Sequence, residues 1–231
     1  MEAPIVQSHE GMTLVGGGPV TAAALRRARV LAPRLVAADG GADRALAAGM
    51  VPEAVFGDMD SISDAARVLL GPARLHEIAE QDTTDFDKAL RSLGAPFVLA
   101  LGFSGARLDH GLSVYNSLVR HPDRRCIVFG GPDIVFAAPP RLRLVLPVGL
   151  RLSLFPMARV SGTSRGLRWP IDGLGFAPDG LAGTSNQVAG AEVDLAFDAP
   201  GMLVILPGRA LPAVLRGLVP GFRAPPGVRG G

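Results

Sequence analysis

Cysteine is nearly absent from this chain: among 231 residues only Cys126 carries a thiol. One cysteine closes no internal disulfide and builds no cysteine-based zinc site, and it suits a reducing cytosol. Lysine is nearly absent as well, because 22 of the 23 basic residues are arginine and Lys88 is the exception. Aromatic residues make up 5% of the chain, with one tryptophan and one tyrosine. The arginines form no stripe with aromatics between them, so no nucleic-acid partner is expected. No stretch approaches the roughly 18 apolar residues of a membrane span, so no membrane partner is expected. The opening MEAPIVQSHEGM carries acids and no apolar run, which argues against a signal peptide and for a cytoplasmic location.

What is present is a core-forming composition. Hydrophobic residues reach 48%, charged residues 19%, and net charge is only +2, which excludes disorder for most of the length. The length allows one large domain or two small ones.

Two grammars divide the chain. Up to residue 123, short apolar runs alternate with stretches of helical spacing: Met12–Val15, Leu35–Ala38, Ala54–Phe56, Leu75–Ile78 and Phe97–Leu101 as strands, and Thr21–Leu31, Asp43–Ala48, Ser63–Leu70, Thr84–Leu93 and Gly111–Val119 as helices. This alternation argues for an α/β unit with a mostly parallel sheet. From Cys126, runs such as Ile134–Ala137, Leu142–Leu146, Leu150–Phe155 and Leu203–Leu206 are separated by Gly, Pro and Asp, with no convincing helix before 207. That pattern reads as a smaller all-β, sandwich-like domain. The expected division is 1–123 α/β, 124–207 all-β, and 208–231 a loose Pro/Gly/Arg-rich tail in which a short helix over Leu211–Leu218 is an option.

Ligands in α/β sheets bind beyond the carboxyl ends of the strands, and the acids fall there. Asp39 follows one strand, Asp58 and Asp60 follow the next, and Asp109 follows Phe97–Leu101 through a glycine-rich turn. In extended backbone, residues two apart point to one side, so Asp58 and Asp60 are placed to share a hard cation such as magnesium. An ordinary acidic turn has the same sequence. In Gln81-Asp82-Thr83-Thr84-Asp85-Phe86-Asp87-Lys88, Asp82, Thr83 or Thr84 is placed to cap a helix, and Asp85 and Lys88 share a face distinct from the apolar Phe86–Leu90–Leu93 face. A surface helix with one ion pair explains this segment; so does Asp85 on a metal with Lys88 on a phosphate. Arg107 suits bidentate phosphate recognition, with Asp109 beside it to orient it or join a metal shell. Gly16-Gly17-Gly18 lies between a strand and a helix but completes no dinucleotide or Walker pattern. Cys126 opens an apolar strand and reads as core.

These segments, taken in order, resemble the thiamine pyrophosphokinase family. Asp39-Gly40-Gly41-Ala42-Asp43-Arg44 resembles its D-G-G-A-[ND]-R segment, and Gly57-Asp58-Met59-Asp60-Ser61-Ile62 its G-D-[FLM]-D-S-I segment. Asp82-Thr83-Thr84-Asp85 through Lys88 resembles its D-x-T-D-x-x-K helix start, and Gly105-Ala106-Arg107-Leu108-Asp109-His110 its G-x-R-x-D-[HQ] turn. Gly166-Leu167-Arg168-Trp169 and the pair Ser185-Asn186 resemble segments of its β domain. The resemblance implies transfer of a pyrophosphoryl group from ATP to the hydroxyl of thiamine, releasing AMP. It implies a homodimer with thiamine between the catalytic domain of one subunit and the β domain of the other. It implies Mg²⁺ on Asp39, Asp58, Asp60 and Asp85, catalytic roles for Asp58, Asp60, Asp82, Asp85 and Lys88, and ATP or phosphate contacts from Asp39, Gly40, Lys88, Arg107 and Asp109. It puts Gln81, Trp169, Ser185 and Asn186 at thiamine. Pyrophosphoryl transfer to another alcohol such as a hydroxymethyl-pterin, a non-catalytic thiamine- or nucleotide-binding regulator, and a sugar-nucleotide transferase using D-x-D are the alternatives.

Overall fold

In a computed structural model of the chain, residues 3–105 and 107–224 are described. They fall into two compact units, the described residues up to 117 together with 126–131, and residues 118–125 together with 132–224.

The first unit is α/β. Its strands are β1 (Val6–Gln7), β2 (Met12–Val15), β3 (Arg34–Ala38), β4 (Ala54–Gly57), β5 (Leu75–Glu77), β6 (Leu93–Gly94), β7 (Val98–Leu101) and β8 (Cys126–Gly130). The helices are α1 (Ala22–Leu31), α2 (Gly41–Ala47), α3 (Asp64–Leu70), α4 (Asp85–Ser92) and the start of α5 (Leu108–Arg120). Strands β8, β7, β2, β3, β4 and β5 lie side by side in that order, all parallel. Strands β2, β4 and β7 are buried along their whole length, as expected where helices cover both faces of a parallel sheet. Hydroxyl caps start two of the helices: Thr21 accepts from Ala24 N–H at 3.1 Å and Ser63 from Ala66 N–H at 3.2 Å, each bond satisfying a donor the helix itself leaves open. Strand order reverses between β2 and β7, since β3 follows β2 on one side while β7 flanks it on the other. Chains leaving two such strands diverge and open a crevice at the carboxyl edge.

Helix α4 departs from the sequence reading. The spacing gave it one buried apolar face, yet Phe86, Asp87, Lys88, Ala89, Leu90 and Ser92 are all buried. The helix lies along β3 and β4, and two turns of helix lodged in this way keep few positions for solvent. Thr84 occupies its N-cap without a side-chain capping bond.

The second unit is all-β apart from a final helix. Its strands are β9 (Asp133–Ala137), β10 (Arg141–Val145), β11 (Arg151–Pro156), β12 (Val160–Arg165), β13 (Gly175–Phe176), β14 (Gly183–Gln187), β15 (Glu192–Phe197) and β16 (Met202–Pro207). One antiparallel set runs β14-β11-β16-β9 and another β10-β15-β12-β13. β12 and β14 escape an apolar-run search because Val-Ser-Gly-Thr-Ser-Arg and Gly-Thr-Ser-Asn-Gln are mostly polar and bury few residues. The expected tail begins with order instead: α6 (Leu211–Leu218) buries Leu211, Val214, Leu215 and Leu218, and its Gly217 abuts the β10 backbone. The apolar spacing of this helix gives it a face to bury, which outweighs the local Pro and Gly content. Residues 225–231 lie outside the described residues. Among the described residues no helix is long and apolar enough to cross a membrane.

Candidate active site

The crevice at the strand-order reversal is real. A cleft of about 220 Å³ is lined by Gly17 and Gly18 after β2, Asp39 and Gly40 after β3, Gly102, Phe103 and Ser104 after β7, and Arg107, His110 and Val114 beyond them. Gly18 N–H donates to Gly102 C=O at 2.8 Å, which locks the two glycine turns together on its floor. Phe86 and Phe103 meet edge to face, centroids 4.8 Å apart, on its wall.

Acids gather beside this cleft. Carboxylate oxygens of Asp39, Asp58 and Asp60 lie within 4.8 Å of one another, and Asp85 opens α4 next to them. Two backbone positions force this convergence. Asp39 ends β3 with φ 41°, and Met59 between the two acids has φ 65°. Both are left-handed conformations that cost a non-glycine residue roughly 1 kcal/mol or more. The Asp58-Met59-Asp60 loop is therefore not extended, as the sequence argument assumed. It is held in shape by the Met59 side chain, buried in a cluster with Ala37, Val55, Ile62 and Ala66, and by Arg67, whose guanidinium donates to Met59 C=O. The third non-glycine residue with positive φ among those described is Ser185, so all three fall within the sequence motifs. Gly57 answers a different need. With φ 151°, its added Cβ would sit 2.9 Å from Asp39 Cβ and 3.1 Å from Asp85 Oδ1, so any side chain there pushes the acids apart.

Lys88 is 1% exposed, and its Nζ lies 3.5 Å from Asp85 Oδ1 and 3.9 Å from Asp58 Oδ2. The only lysine is thus a buried counter-charge between two carboxylates. Gln81 Nε2 donates to Asp58 Oδ2 at 3.1 Å, and this bond chiefly holds the Asp58 carboxyl below its usual range. Burial pushes Asp85 up. Asp39 is pushed up to about 6, first by burial and then by its neighbour Asp60, although Ser61 N–H donates to it at 3.0 Å. One ammonium against four carboxylates leaves excess negative charge, which adds to burial, the larger cause, in raising Asp39.

The remaining candidates lie elsewhere. Asp82 is exposed in the loop before α4, and its backbone N–H, rather than its carboxylate, is engaged, donating to Glu80 Oε2 at 2.9 Å. Arg107 and Asp109 form an exposed ion pair at 2.6 Å, Arg107 on the cleft wall. Each shifts the other, Arg107 up and Asp109 down. Trp169, Ser185 and Asn186 belong to the second unit, whereas Gln81 and the acids belong to the first. Trp169 is 52% exposed with the Arg168 guanidinium 4.9 Å above its ring, so it is not core. Asn186 is buried; it accepts from Trp169 N–H at 3.2 Å and donates to Trp169 C=O at 2.7 Å. Its amide is therefore spent on the backbone of Trp169. Cys126 is buried, and burial pushes its thiol up, as a core residue requires. Sequence reasoning missed Glu80, Arg67 and Asp43, which brace the loops: Asp43 accepts from Ser63 N–H at 3.0 Å. A carboxylate just before a polar loop is the signal that marked Glu80.

The excess charge yields a test. An acid whose pKa rises on folding makes the folded state bind its proton more tightly, so a stability cost appears as pH rises from about 4 through about 6 and stays above it. Asp39→Asn removes that cost, and asparagine tolerates positive φ. After discounting for solvent screening, the ligand-free variant gains about 1–2 kcal/mol at pH 8 and close to nothing at pH 4. Thermal melts at the two pH values without divalent cations check this; equal melting of variant and parent at pH 8 would remove the account of a raised Asp39.

Comparisons with known proteins converge on one family. Residues 28–129 match the family model described as thiamin pyrophosphokinase, catalytic domain. Thiamine pyrophosphokinase 1 of Arabidopsis thaliana is 28% identical over 167 residues, 64% of this chain and 62% of the plant protein. The matched stretch thus spans a little under two thirds of that relative. A crystal structure of a protein from Lactobacillus plantarum superposes with TM-score 0.71 and 26% identity over 86% of this chain and 98% of that one. Thiamin pyrophosphokinase from Candida albicans gives TM-score 0.70 at 15% identity over 89% and 93%, a likeness of fold.

Proposed function

We propose that this chain is a member of the thiamin pyrophosphokinase family and moves the pyrophosphoryl group of ATP onto the hydroxyl of thiamine, giving thiamine diphosphate and AMP. The observation that carries this reading is the convergence of Asp39, Asp58 and Asp60, with Asp85 and the buried Lys88 beside them, at the rim of a cleft where strand order reverses. Such a transfer needs positioning and charge neutralisation more than covalent help.

The donor set fits magnesium. It offers hard carboxylate oxygens from separate loops, and among the described residues Asp39, raised by burial and by Asp60, forms no ion pair. Asp39, Asp58, Asp60 and Asp85 are the residues proposed to hold the ion, which when bound shields the phosphate oxygens from these acids. Lys88 keeps Asp58 and Asp85 from repelling each other and holds them in place. The glycine turns at Gly17, Gly18 and Gly102 let the phosphate chain approach backbone. Arg107 exchanges Asp109 for a phosphate, a stronger bidentate partner. Asp85, whose burial raises its proton affinity, or Asp82 accepts the hydroxyl proton. Gln81, Trp169, Ser185 and Asn186 are carried as the thiamine-pocket set, Asn186 acting by fixing Trp169. The homodimer and the cytoplasmic location belong to the same proposal.

The test is AMP release from ATP and Mg²⁺, assayed with thiamine and with a hydroxymethyl-pterin side by side. AMP is expected with thiamine alone. Release of ADP, AMP with the pterin only, or no thiamine-dependent AMP would each reject the reading.

A further inference from the structure

Glu80 stands outside the acidic rim and contacts neither the cleft wall nor the converging carboxylates, yet its carboxylate has four donors. It accepts from Asp82 N–H at 2.9 Å, from Thr83 N–H at 3.1 Å, from the Thr83 hydroxyl, and from Arg91 Nη2 at 2.6 Å. These bonds, that of the Thr83 hydroxyl first, hold Glu80 below the ordinary carboxylate range. Arg91 stands in the last turn of α4, whereas Asp82 and Thr83 precede the first. One carboxylate therefore ties the loop entering α4 to the far end of the same helix. The tied loop carries Gln81, whose amide fixes Asp58, and it delivers the chain to Asp85. It also contains Thr84, whose buried hydroxyl has no hydrogen-bond partner among the described residues and lines the cleft. A loop of this length, left to itself, would sample many conformations, and ordering it costs about 1–2 kcal/mol per residue. Charge-assisted bonds to two consecutive backbone amides remove most of that freedom.

We infer that Glu80, braced by Arg91, is a positioning residue for the proposed transfer: it holds the 81–84 loop so that Gln81 orients Asp58 and meets the acceptor alcohol. The inference rests on the pyrophosphoryl-transfer reading for its kinetic consequence, but the clamp itself does not. The glycine turns and Arg107 that line the cleft lie on other loops and do not depend on Glu80. Loss of the clamp therefore acts on the acceptor side and on the rim, and spares the nucleotide side.

The experiment compares wild type, Glu80→Ala, Glu80→Gln and Arg91→Ala. In the AMP assay Glu80→Ala is expected to raise KM for thiamine and lower kcat, each about tenfold, within the 10- to 100-fold range seen when groups orienting a ligand are removed. KM for ATP, measured at saturating Mg²⁺, should stay within about twofold. Glu80→Gln keeps one acceptor and should recover part of the loss, and Arg91→Ala should fall between Glu80→Gln and Glu80→Ala. Unchanged kinetics in Glu80→Ala overturns the inference, and so does an equal rise in both KM values with a collapse of the thermal midpoint, which would mark a merely structural role. Two measurements need no turnover: amide hydrogen exchange at Asp82 and Thr83, and titration with Mg²⁺ alone. Glu80→Ala should speed the exchange and weaken Mg²⁺ binding severalfold, and absence of either overturns the clamp. If wild type itself forms no thiamine-dependent AMP, the function fails and these two measurements still decide the clamp.

Discussion

Lys88→Arg should lower kcat/KM for thiamine-dependent AMP formation by about 10²-fold, and Lys88→Met by about 10³-fold, the range found when one charge-stabilising group leaves an active site. The reason is the space and the partners. The ammonium is almost wholly buried, within 4 Å of both Asp58 and Asp85. A guanidinium is wider and planar, and it offers a fork where the site holds a point charge. Forcing it into a filled pocket typically costs about 1–3 kcal/mol of strain, taken up by moving Asp58, Asp85 or α4 itself. Methionine fits the volume but leaves two carboxylates facing each other uncompensated. Because those carboxylates are 19% and 35% exposed, water blunts the penalty, and the fold should survive with a loss of about 1–2 kcal/mol. Steady-state AMP release with a parallel thermal melt checks both variants. Lys88→Arg turnover within threefold of wild type would show that the only lysine in an arginine-rich chain has no special task.

Asp58→Asn and Asp85→Asn should each cut turnover by about 10³-fold or more while the ligand-free protein still folds, with Asp58→Asn melting lower than the parent because the carboxylate it removes is stabilised in the folded state. The loss of turnover has one cause, a carboxylate missing from the rim; the effect on the fold depends on how that carboxylate is held in the folded protein. The substitutions are not equivalent. Asp58 is held ionised mainly by Gln81, so asparagine there removes a carboxylate that is charged throughout the working pH range. Asp85 is raised by burial, so asparagine there relieves desolvation but leaves Lys88 with Asp58 alone. Turnover and Mg²⁺ titration on both variants read these outcomes; near-normal rates in both would refute the metal-rim assignment.

The α/β half was legible because its strands are short apolar runs ending in glycine or aspartate, and its helices open on Thr21 and Ser63, hydroxyls that do cap. β12 and β14 were not legible, since strands that expose most of their side chains leave no apolar run. α6 was legible as an option over Leu211–Leu218 from its apolar spacing; that the helix packs against the domain instead of starting a loose tail was not. The candidate acids were legible from their place after strands. Their company was not: Asp82, inside the same motif as Asp85, turns its carboxylate to solvent while its N–H serves Glu80.

By itself the sequence determined the residue types at the rim, the α/β-then-β order, and the presence of one lysine among 23 cations. Local physics suffices for these, because residue identity, hydrophobic period and turn chemistry are properties of short segments. Only the tertiary structure decided that Asp39, Asp58 and Asp60 meet within 4.8 Å, that Lys88 is buried rather than presented on a surface helix, and that Glu80 ties their loop down. Those outcomes follow from parallel register between β3 and β4 and from α4 lying along both strands, with left-handed turns at Asp39 and Met59 completing the approach. Such turns are unfavourable when considered alone, and they persist because the buried Met59 and the Arg67 bond outweigh their cost.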